Sequence, residues 1–388
     1  MRYLVGFACV LALGVVPVVG CSSDGDAGGS GGSAGVGGIG GEGGGAPNRT
    51  AELEEFLDDY IDQQVKVDDT GIAVALVGPG GVVELERTYG MANLEESVAL
   101  TSETVFELAS VSKQFTATAI MMLYEEGLVA PEDPVSETFS EGPAEWASMT
   151  VHHLLTHQSG LPDYANDQPP GTVEGWSNAD VLAYLLETSL EFPPGDEFEY
   201  SNSGYAMLAM LLERVTGESF ADFLQQRIFE PLGMSDTLVP AVAPPDVPNL
   251  ARGYRLGHLV EYSSRTNGAG HQHSTLEDLI QWELGIRDAA LLSPDTLALM
   301  FTRHVDIPVE KRVSHFDDCD YGYGWMTCSA KVGPLLHHGG RTGGFRTLID
   351  RDPAANVTVI MLSNGSYEWT FEIGDDLIEF YRKGSGAP

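Results

Sequence analysis

The segments of this chain that favour β-strands lie near its two ends and are nearly absent from its middle. Residues 72–77 form an apolar run, residues 82–89 alternate in polarity, and a Gly-Pro-Gly-Gly turn joins them, which is the pattern of a β-hairpin. Four more strand-like segments follow near the carboxyl end, at residues 321–326, 332–338, 345–350 and 357–363. Because short turns join neighbouring segments, a sheet that combines all of them is expected to be antiparallel.

Helical periodicity fills most of the remaining chain. Residues 51–67 repeat apolar side chains at helical spacing, and a last helix is predicted over residues 369–381. A region from about residue 129 to residue 318 combines long loops with predicted helices at residues 151–155, 179–187, 205–215, 220–229, 276–285 and 294–301. The chain is therefore predicted to be α+β, an antiparallel sheet packed against terminal helices with a large helical insertion.

The first 49 residues are predicted to lie outside the folded body. An apolar run over residues 3–19 follows Arg2 and is short for a membrane span. It ends in Val-Val-Gly-Cys, which resembles the lipobox of bacterial lipoproteins, and this resemblance implies that residues 1–20 are a signal peptide and that Cys21 is lipidated. Residues 21–49 are dominated by glycine and predict a flexible linker. The folded domain is expected to span residues 50–384.

The predicted anchor and the charge of the chain set its expected location and partners. The alternative to a lipoprotein is an ordinary secretory signal with an incidental cysteine, and Ser22 favours the outer membrane over the inner one. A formal net charge of −37 at pH 7 repels nucleic acid and anionic membrane surfaces. We expect a monomer with no nucleic-acid partner, and membrane contact only through the lipid anchor.

Two of the four cysteines belong to the predicted folded domain. Cys9 lies in the predicted signal peptide and Cys21 in the lipobox, which leaves Cys319 and Cys328. In an exported protein such a pair is more often a disulfide than two free thiols. The spacing alone does not show that the two residues meet.

Ser110-Val111-Ser112-Lys113 stands at the head of an apolar run that predicts a buried helix ending near Leu123. A serine in a first helical turn lies close to unpaired backbone N–H groups, and a lysine three positions later lies on the same helix face. Such a lysine can remove the proton of the hydroxyl and make the serine a nucleophile. Taken alone, the pattern is also that of an N-cap serine followed by a surface lysine.

Two later segments carry suitable chemistry. Tyr200 and Asn202 lie where a loop enters a predicted helix, a place where functional side chains are often displayed. His338-Gly339-Gly340 ends a predicted strand and opens a glycine-rich turn, which allows a ligand to approach the backbone.

The three segments together resemble the ordered motifs of the serine β-lactamase and penicillin-binding-protein superfamily. Ser-x-x-Lys, Tyr-x-Asn and His-x-Gly occur in the family's order, and supporting stretches at residues 154–162, 200–205 and 323–325 also match. The likeness is strongest to the branch that holds class C β-lactamases, D-Ala-D-Ala carboxypeptidases and related esterases, and it covers residues 53–381. It implies a β-lactamase-like fold in which the helix that follows Ser110 packs beside the sheet.

The resemblance also implies a mechanism and a set of roles. Ser110 would attack a carbonyl while Lys113 and Tyr200 share the removal of its proton, and backbone N–H groups of Ser110 and Arg341 would hold the oxyanion. The residues implied to contact the substrate are Asn202, His338, Gly340 and Arg341. No cofactor is implied, and the expected partner is a small-molecule or peptide substrate.

Three local ambiguities arise in this assignment. Tyr164-Ala165-Asn166 is a second Tyr-x-Asn, but no helix is predicted behind it. His337 could replace His338 in the third motif, although alternation along a strand would direct it to the opposite face. His153 and His157 are four residues apart and could ligate a metal, but no acidic third ligand accompanies them, so no metal site is expected.

The substrate class depends on charge. Relatives that act on substrates with a carboxylate often use a lysine in the third motif, where this chain has His338, and its acidic composition also favours a neutral ester or amide. Arg341 or Arg346 could bind a carboxylate instead, which leaves a β-lactamase or D-Ala-D-Ala carboxypeptidase as the alternative. A non-catalytic lipoprotein that binds peptidoglycan or a partner is an alternative of another class. Loops over residues 163–176 and 239–273 are expected to select the substrate.

Overall fold

A computed structural model describes most of the chain that follows the glycine-rich segment. The described residues are 49–66, 69–167, 175–241, 246–260, 265–312, 316 and 318–385. The predicted signal peptide, Cys21 and the predicted linker up to residue 48 lie outside them, so these three features stay predictions. Within the described ranges, no helix has the length and apolar character needed to cross a bilayer.

The strands fall into the amino-terminal and carboxyl-terminal parts of the chain, with short pairs between them. In chain order they are β1 Ile72–Val77, β2 Val83–Tyr89, β3 Met91–Asn93, β4 Val98–Ala99, β5 Phe106–Glu107, β6 Tyr254–Arg255, β7 His258–Leu259, β8 His273–Ser274, β9 Val305–Asp306, β10 Asp318–Tyr321, β11 Met326–Ala330, β12 Gly333–Arg341, β13 Arg346–Asp352 and β14 Val357–Ser363. Eight of them form one sheet in the order β2-β1-β14-β13-β12-β11-β10-β9. Every neighbouring pair is antiparallel, as predicted.

The helices occupy the two ends and the long middle of the chain. They are α1 Arg49–Asp62, α2 Ser112–Glu125, α3 Val135–Thr138, α4 Val151–Leu155, α5 Tyr164–Asp167, α6 Asn178–Glu187, α7 Asn202–Thr216, α8 Phe220–Leu224, α9 Glu230–Leu232, α10 Leu276–Arg287, α11 Pro294–Met300 and α12 Ile373–Ser385. The terminal helices pack on each other, with the rings of Phe56 and Phe380 stacked at 4.4 Å. The predicted architecture of a sheet, terminal helices and a helical insertion is confirmed.

The two faces of the sheet can be told apart along β13, because neighbouring residues of a strand point to opposite sides. Arg351 pairs with Glu283 of α10. The next residue, Asp352, pairs with Arg382 of α12. The terminal helices therefore cover one face of the sheet, and α10 covers the other. Ser110 also lies on the α10 side, because Thr347, which points to the same side as Arg351, donates to the backbone carbonyl of Leu108.

Three predicted elements were wrong in detail. Residues 321–326 are not one strand, because β10 ends at Tyr321 and β11 begins at Met326. Gly324 between them has φ +73°, a left-handed conformation that glycine adopts readily. The helical region holds the short strands β6 to β9, and Tyr164 begins the short helix α5 where a loop without a helix was predicted.

Cys319 and Cys328 stand directly opposite each other on β10 and β11 and form a disulfide with Cα atoms 4.1 Å apart. A cross-link restricts the unfolded chain, and for a loop this short the stabilisation is about 2–3 kcal/mol. We expect the Cys319→Ser/Cys328→Ser variant to lose about that much unfolding free energy in urea titrations. Wild-type protein unfolded with a reductant present should match the variant. Equal midpoints for oxidised wild type and variant would contradict the disulfide.

Candidate active site

Ser110 lies in a single turn of 3-10 helix, Ala109–Val111, that runs directly into α2. Ala109 has φ +49°, a strained conformation for a residue with a Cβ, and such strain is common at functional sites. The turn continues into a helix that is packed on all sides, because every residue of α2 from Ser112 to Leu123 is buried. The position of the Ser110 hydroxyl is thus set by a rigid helix and a strained residue beside it.

The end of β12 lies unusually close to the Ser110 turn. A Cβ added to Gly340 would come within 2.1 Å of the Thr347 hydroxyl oxygen and 2.4 Å of the Leu108 carbonyl oxygen. Only glycine fits there. Gly340 therefore shapes the site by allowing two backbones to approach, which refines its predicted role of contacting the substrate.

The Lys113 amine is fully buried and reaches three oxygen atoms. Its Nζ lies 2.8 Å from Asn202 Oδ1, 2.7 Å from the Ala269 carbonyl oxygen and 3.3 Å from Ser110 Oγ. The two shorter contacts are to atoms that can only accept hydrogen bonds, whereas the serine hydroxyl can also donate.

Burial lowers the pKa of Lys113 to about 7, although the Asp163 carboxylate nearby raises it in part. Desolvation disfavours the charged amine, so a large fraction of Lys113 is neutral near pH 7. A neutral amine has two N–H groups and one lone pair. If the N–H groups bond Asn202 and Ala269, the lone pair is left for the Ser110 hydroxyl proton, which is the arrangement a general base requires.

Asp163 fixes the orientation of Asn202. Its carboxylate accepts from the Asn202 side-chain amide at 3.0 Å and from the Asn202 backbone N–H at 3.3 Å. The amide nitrogen thus faces Asp163, and the amide oxygen faces Lys113. Asn202 was predicted to bind substrate, and it also lines the open cleft beside Ser110. Sequence reasoning missed Asp163 as the partner of this residue.

Tyr200 is partly buried and its ring lies 4.8 Å from Lys113 Nζ. Burial raises the pKa of Tyr200 well above its usual value, and the neighbouring Ser110 hydroxyl lowers it only in part. A raised pKa makes the phenol a poorer candidate for the base than the Lys113 amine. The predicted sharing of the base role between Tyr200 and Lys113 stays a prediction.

His338 and His337 point to opposite faces of the sheet, as alternation predicts. His337 bonds Asp350 at 2.6 Å. His338 faces the side of Ser110 but is only 1% exposed, and its Nε2 lies 3.0 Å from the hydroxyl of Tyr321. Burial lowers the pKa of His338 to about 3, so the imidazole is neutral. Tyr321 and the backbone enclose the His338 ring, so the predicted contact of His338 with the substrate stays a prediction.

His157 is a buried neighbour of Tyr200 that the sequence analysis treated only as a possible metal ligand. Its ring lies 4.2 Å from the Tyr200 ring, and its Nδ1 accepts the backbone N–H of Ser201 at 3.1 Å. His153 Nδ1 instead accepts the N–H of Thr150 at the start of α4. No group of three or more metal-binding side chains occurs among the residues that the structure describes.

An open cleft with about 120 Å³ of water-accessible space exposes Ser110 to solvent. It is lined by Glu107, Ala109, Ser110, Tyr164, Asn202, Ala269, Gly270, His271, Arg341 and Thr342. The loops predicted to select substrate thus contribute Tyr164 and the stretch 269–271. Arg341 is the exposed cation of this lining, while Arg346 is 5% exposed and bonds the Thr342 carbonyl at 2.8 Å.

The comparisons with known proteins agree with this geometry. The family model described as Beta-lactamase matches residues 57–382. Penicillin-binding protein 4* of Bacillus subtilis (strain 168) is 31% identical over 323 residues, which are 76% of this chain and 69% of that protein. The family match contains all three predicted motifs within a single domain-sized segment of the chain.

Solved structures show the same fold. The octameric penicillin-binding protein homologue from Pyrococcus abyssi superposes with a TM-score of 0.71 at 28% identity and covers 83% of this chain and 76% of that one. The D-amino acid amidase from Ochrobactrum anthropi SV3 gives a TM-score of 0.75 at 24% identity, covering 87% and 99%, and supports the fold alone. The resemblance predicted from the three motifs is confirmed, and the chain belongs to the β-lactamase family of serine hydrolases.

Proposed function

We propose that this protein cleaves an ester or amide through an acyl-enzyme on Ser110, with a preference for neutral esters. The observation that carries the proposal is the contact at 3.3 Å between Ser110 Oγ and the buried Lys113 amine, whose pKa burial lowers to about 7. A serine hydroxyl is a weak nucleophile until an adjacent base takes its proton. The pair supplies both groups in the cleft that exposes Ser110.

The proposed reaction begins when Ser110 Oγ attacks the substrate carbonyl and its proton passes to Lys113. Backbone N–H groups of Ser110 and Arg341 stabilise the oxyanion. As the tetrahedral intermediate collapses, the leaving group departs with the proton held by the Lys113 ammonium, either directly or through the Tyr200 phenol, which the ammonium reprotonates. Water then attacks the acyl-enzyme and gives a proton to Lys113. On collapse of the second intermediate this proton returns to Ser110 Oγ, and the carboxylic acid product is released.

The preference for neutral substrates rests on the burial and pairing of the cationic side chains near the cleft. His338 is buried and neutral, so it offers no charge where a third-motif lysine would. Arg346 is buried, and Arg341 pairs with Glu368 at 2.7 Å. Arg341 nevertheless lines the cleft, and this observation supports the second candidate, a β-lactamase or D-Ala-D-Ala carboxypeptidase.

The test uses residues 50–388 and three substrates, a short-chain p-nitrophenyl ester, a chromogenic cephalosporin and a D-Ala-D-Ala peptide. We expect the ester to be turned over fastest, and acid-quenched samples to show one acyl group on the peptide that contains Ser110 by mass spectrometry. Faster turnover of the cephalosporin or peptide would favour the second candidate. Absence of any adduct and of any turnover would contradict catalysis and favour a binding protein.

The state of Lys113 predicts the pH dependence of this activity. The amine must be unprotonated to act as base, so kcat/KM should rise with pH and level off above the pKa of about 7. Because the Asp163 carboxylate raises this pKa, Asp163→Asn should move the rise to lower pH by about one unit or less. The exposed Asp306→Asn variant is the control and should leave it in place. A rise centred near pH 10 would contradict a neutral Lys113.

A further inference from the structure

The carboxylate of Glu368 lies beside Arg341. Among the described residues that line the cleft, Arg341 is the only exposed cation. Glu368 begins a turn of 3-10 helix, Glu368–Phe371, that follows β14. One oxygen of Glu368 lies 2.7 Å from Nη2 of Arg341, and the other lies 3.1 Å from Nη2 of Arg346. A single carboxylate thus bridges two guanidinium groups.

Arg346 is fixed by buried contacts, whereas the Glu368 side chain is mostly exposed. Arg346 is buried and donates to the Thr342 and Phe345 carbonyls, and the guanidinium of Arg341 lies 5.4 Å from the ring centre of Phe371. The Glu368 side chain is 66% exposed. An ion pair this exposed contributes little to stability, so the fold does not require Glu368 to be a carboxylate.

The charge balance of this cluster has a consequence for binding. The two guanidinium groups and the carboxylate that bridges them carry one net positive charge, whereas the two guanidinium groups alone would carry two. Arg255, which also acts on Arg346, adds to the positive charge in both cases. A substrate carboxylate that approached Arg341 would meet the Glu368 carboxylate already bonded there, and it would have to compete for the same donors.

We propose that Glu368 is a specificity-determining residue that occupies the Arg341–Arg346 pair and thereby disfavours substrates that carry a carboxylate. The inference rests on the proposed function, since it concerns the substrate of the Ser110 cleft. It assigns a physical cause to the preference for neutral esters, because the glutamate takes the place that a substrate carboxylate would occupy. Its removal should convert the site to one that attracts anions.

The experiment compares two esters that differ by one carboxylate, 4-nitrophenyl butyrate and 3-carboxy-4-nitrophenyl butyrate. For Glu368→Gln, we expect kcat/KM of the anionic ester to rise about tenfold relative to the neutral ester, the effect of one charge-assisted hydrogen bond. The gain should appear mainly in KM and shrink at high salt. Adding Arg341→Gln to Glu368→Gln should return the ratio to the wild-type value.

Glu372→Gln is the matched control, because Glu372 is exposed four residues further along and its replacement changes the net charge equally. An unchanged ratio in Glu368→Gln, or an equal rise in Glu372→Gln, would overturn the role of Glu368. A rise that survives the added Arg341→Gln would overturn it as well. If wild type turns over neither ester, the proposed function has failed and the inference falls with it. Turnover of both esters with a constant ratio refutes only the inference.

Discussion

Replacing either Ser110 by alanine or Lys113 by methionine is expected to lower kcat/KM for the preferred ester by at least about 10³-fold. The serine variant lacks the nucleophile. The lysine variant keeps the nucleophile but loses the base at 3.3 Å. Because the two groups act in one step, the double variant should be little slower than either single one. Steady-state kinetics of the three variants measures this directly.

The interpretation requires that the variants stay folded. Lys113 is buried with hydrogen bonds to Asn202 and Ala269, and methionine fills a similar volume without burying a charge. Thermal unfolding should therefore show intact cooperative transitions. Lys331→Met is the matched control, since Lys331 is an exposed lysine that pairs with Asp376, and it should retain wild-type activity. Losses that multiply in the double variant would show that Ser110 and Lys113 act independently and would contradict the mechanism.

Gly340→Val is expected to damage both stability and activity. Its Cβ would lie 2.1 Å from the Thr347 hydroxyl oxygen and 2.4 Å from the Leu108 carbonyl oxygen, so β12 and the Ser110 turn must separate. Overpacking of this kind costs about 1–3 kcal/mol, and a displacement of about 1 Å at a catalytic group can reduce the rate about 10²-fold. Urea unfolding and ester kinetics report the two effects separately.

A matched substitution distinguishes this clash from a general intolerance of glycine replacement. A Cβ on Gly384 of α12 would meet no atom within 4 Å, so Gly384→Ala should leave activity unchanged and stability nearly so. Wild-type stability and activity in Gly340→Val would show that the two backbones are further apart than the structure places them. Loss of activity at unchanged stability would indicate that only the geometry at Ser110 matters.

Local sequence patterns were sufficient for much of the fold. The bounds of β1 and β14 were predicted correctly because each is an apolar run closed by turn residues. Residues 321–326 misled the prediction because Tyr321, Tyr323 and Trp325 alternate as they would in a strand. Tyr321 ends β10, but Tyr323 and Trp325 lie in a turn that packs against α2, since a Cβ on Gly324 would lie 2.8 Å from the Lys113 carbonyl oxygen.

Only the site residues that belong to short sequence motifs were predicted. Ser110, Lys113, Tyr200 and Asn202 were found because each belongs to a motif with fixed local spacing, and the structure brings them together. The carbonyl of Ala269 could not be found, because a backbone acceptor has no residue type to mark it. Asp163 and Glu368 were missed since their partners are distant in sequence, and one acidic side chain among 57 carries no signal of its own.

The strand order has a consequence for how the chain is made. β1 lies between β2 and β14, so Ile72 stands opposite Ser363. The amino-terminal hairpin therefore lacks one neighbour until nearly the whole chain has been synthesised, and closing such a long loop slows folding. Because β12, which ends at Arg341 in the Ser110 cleft, pairs with β13 and β13 pairs with β14, we expect the cleft to form late in folding.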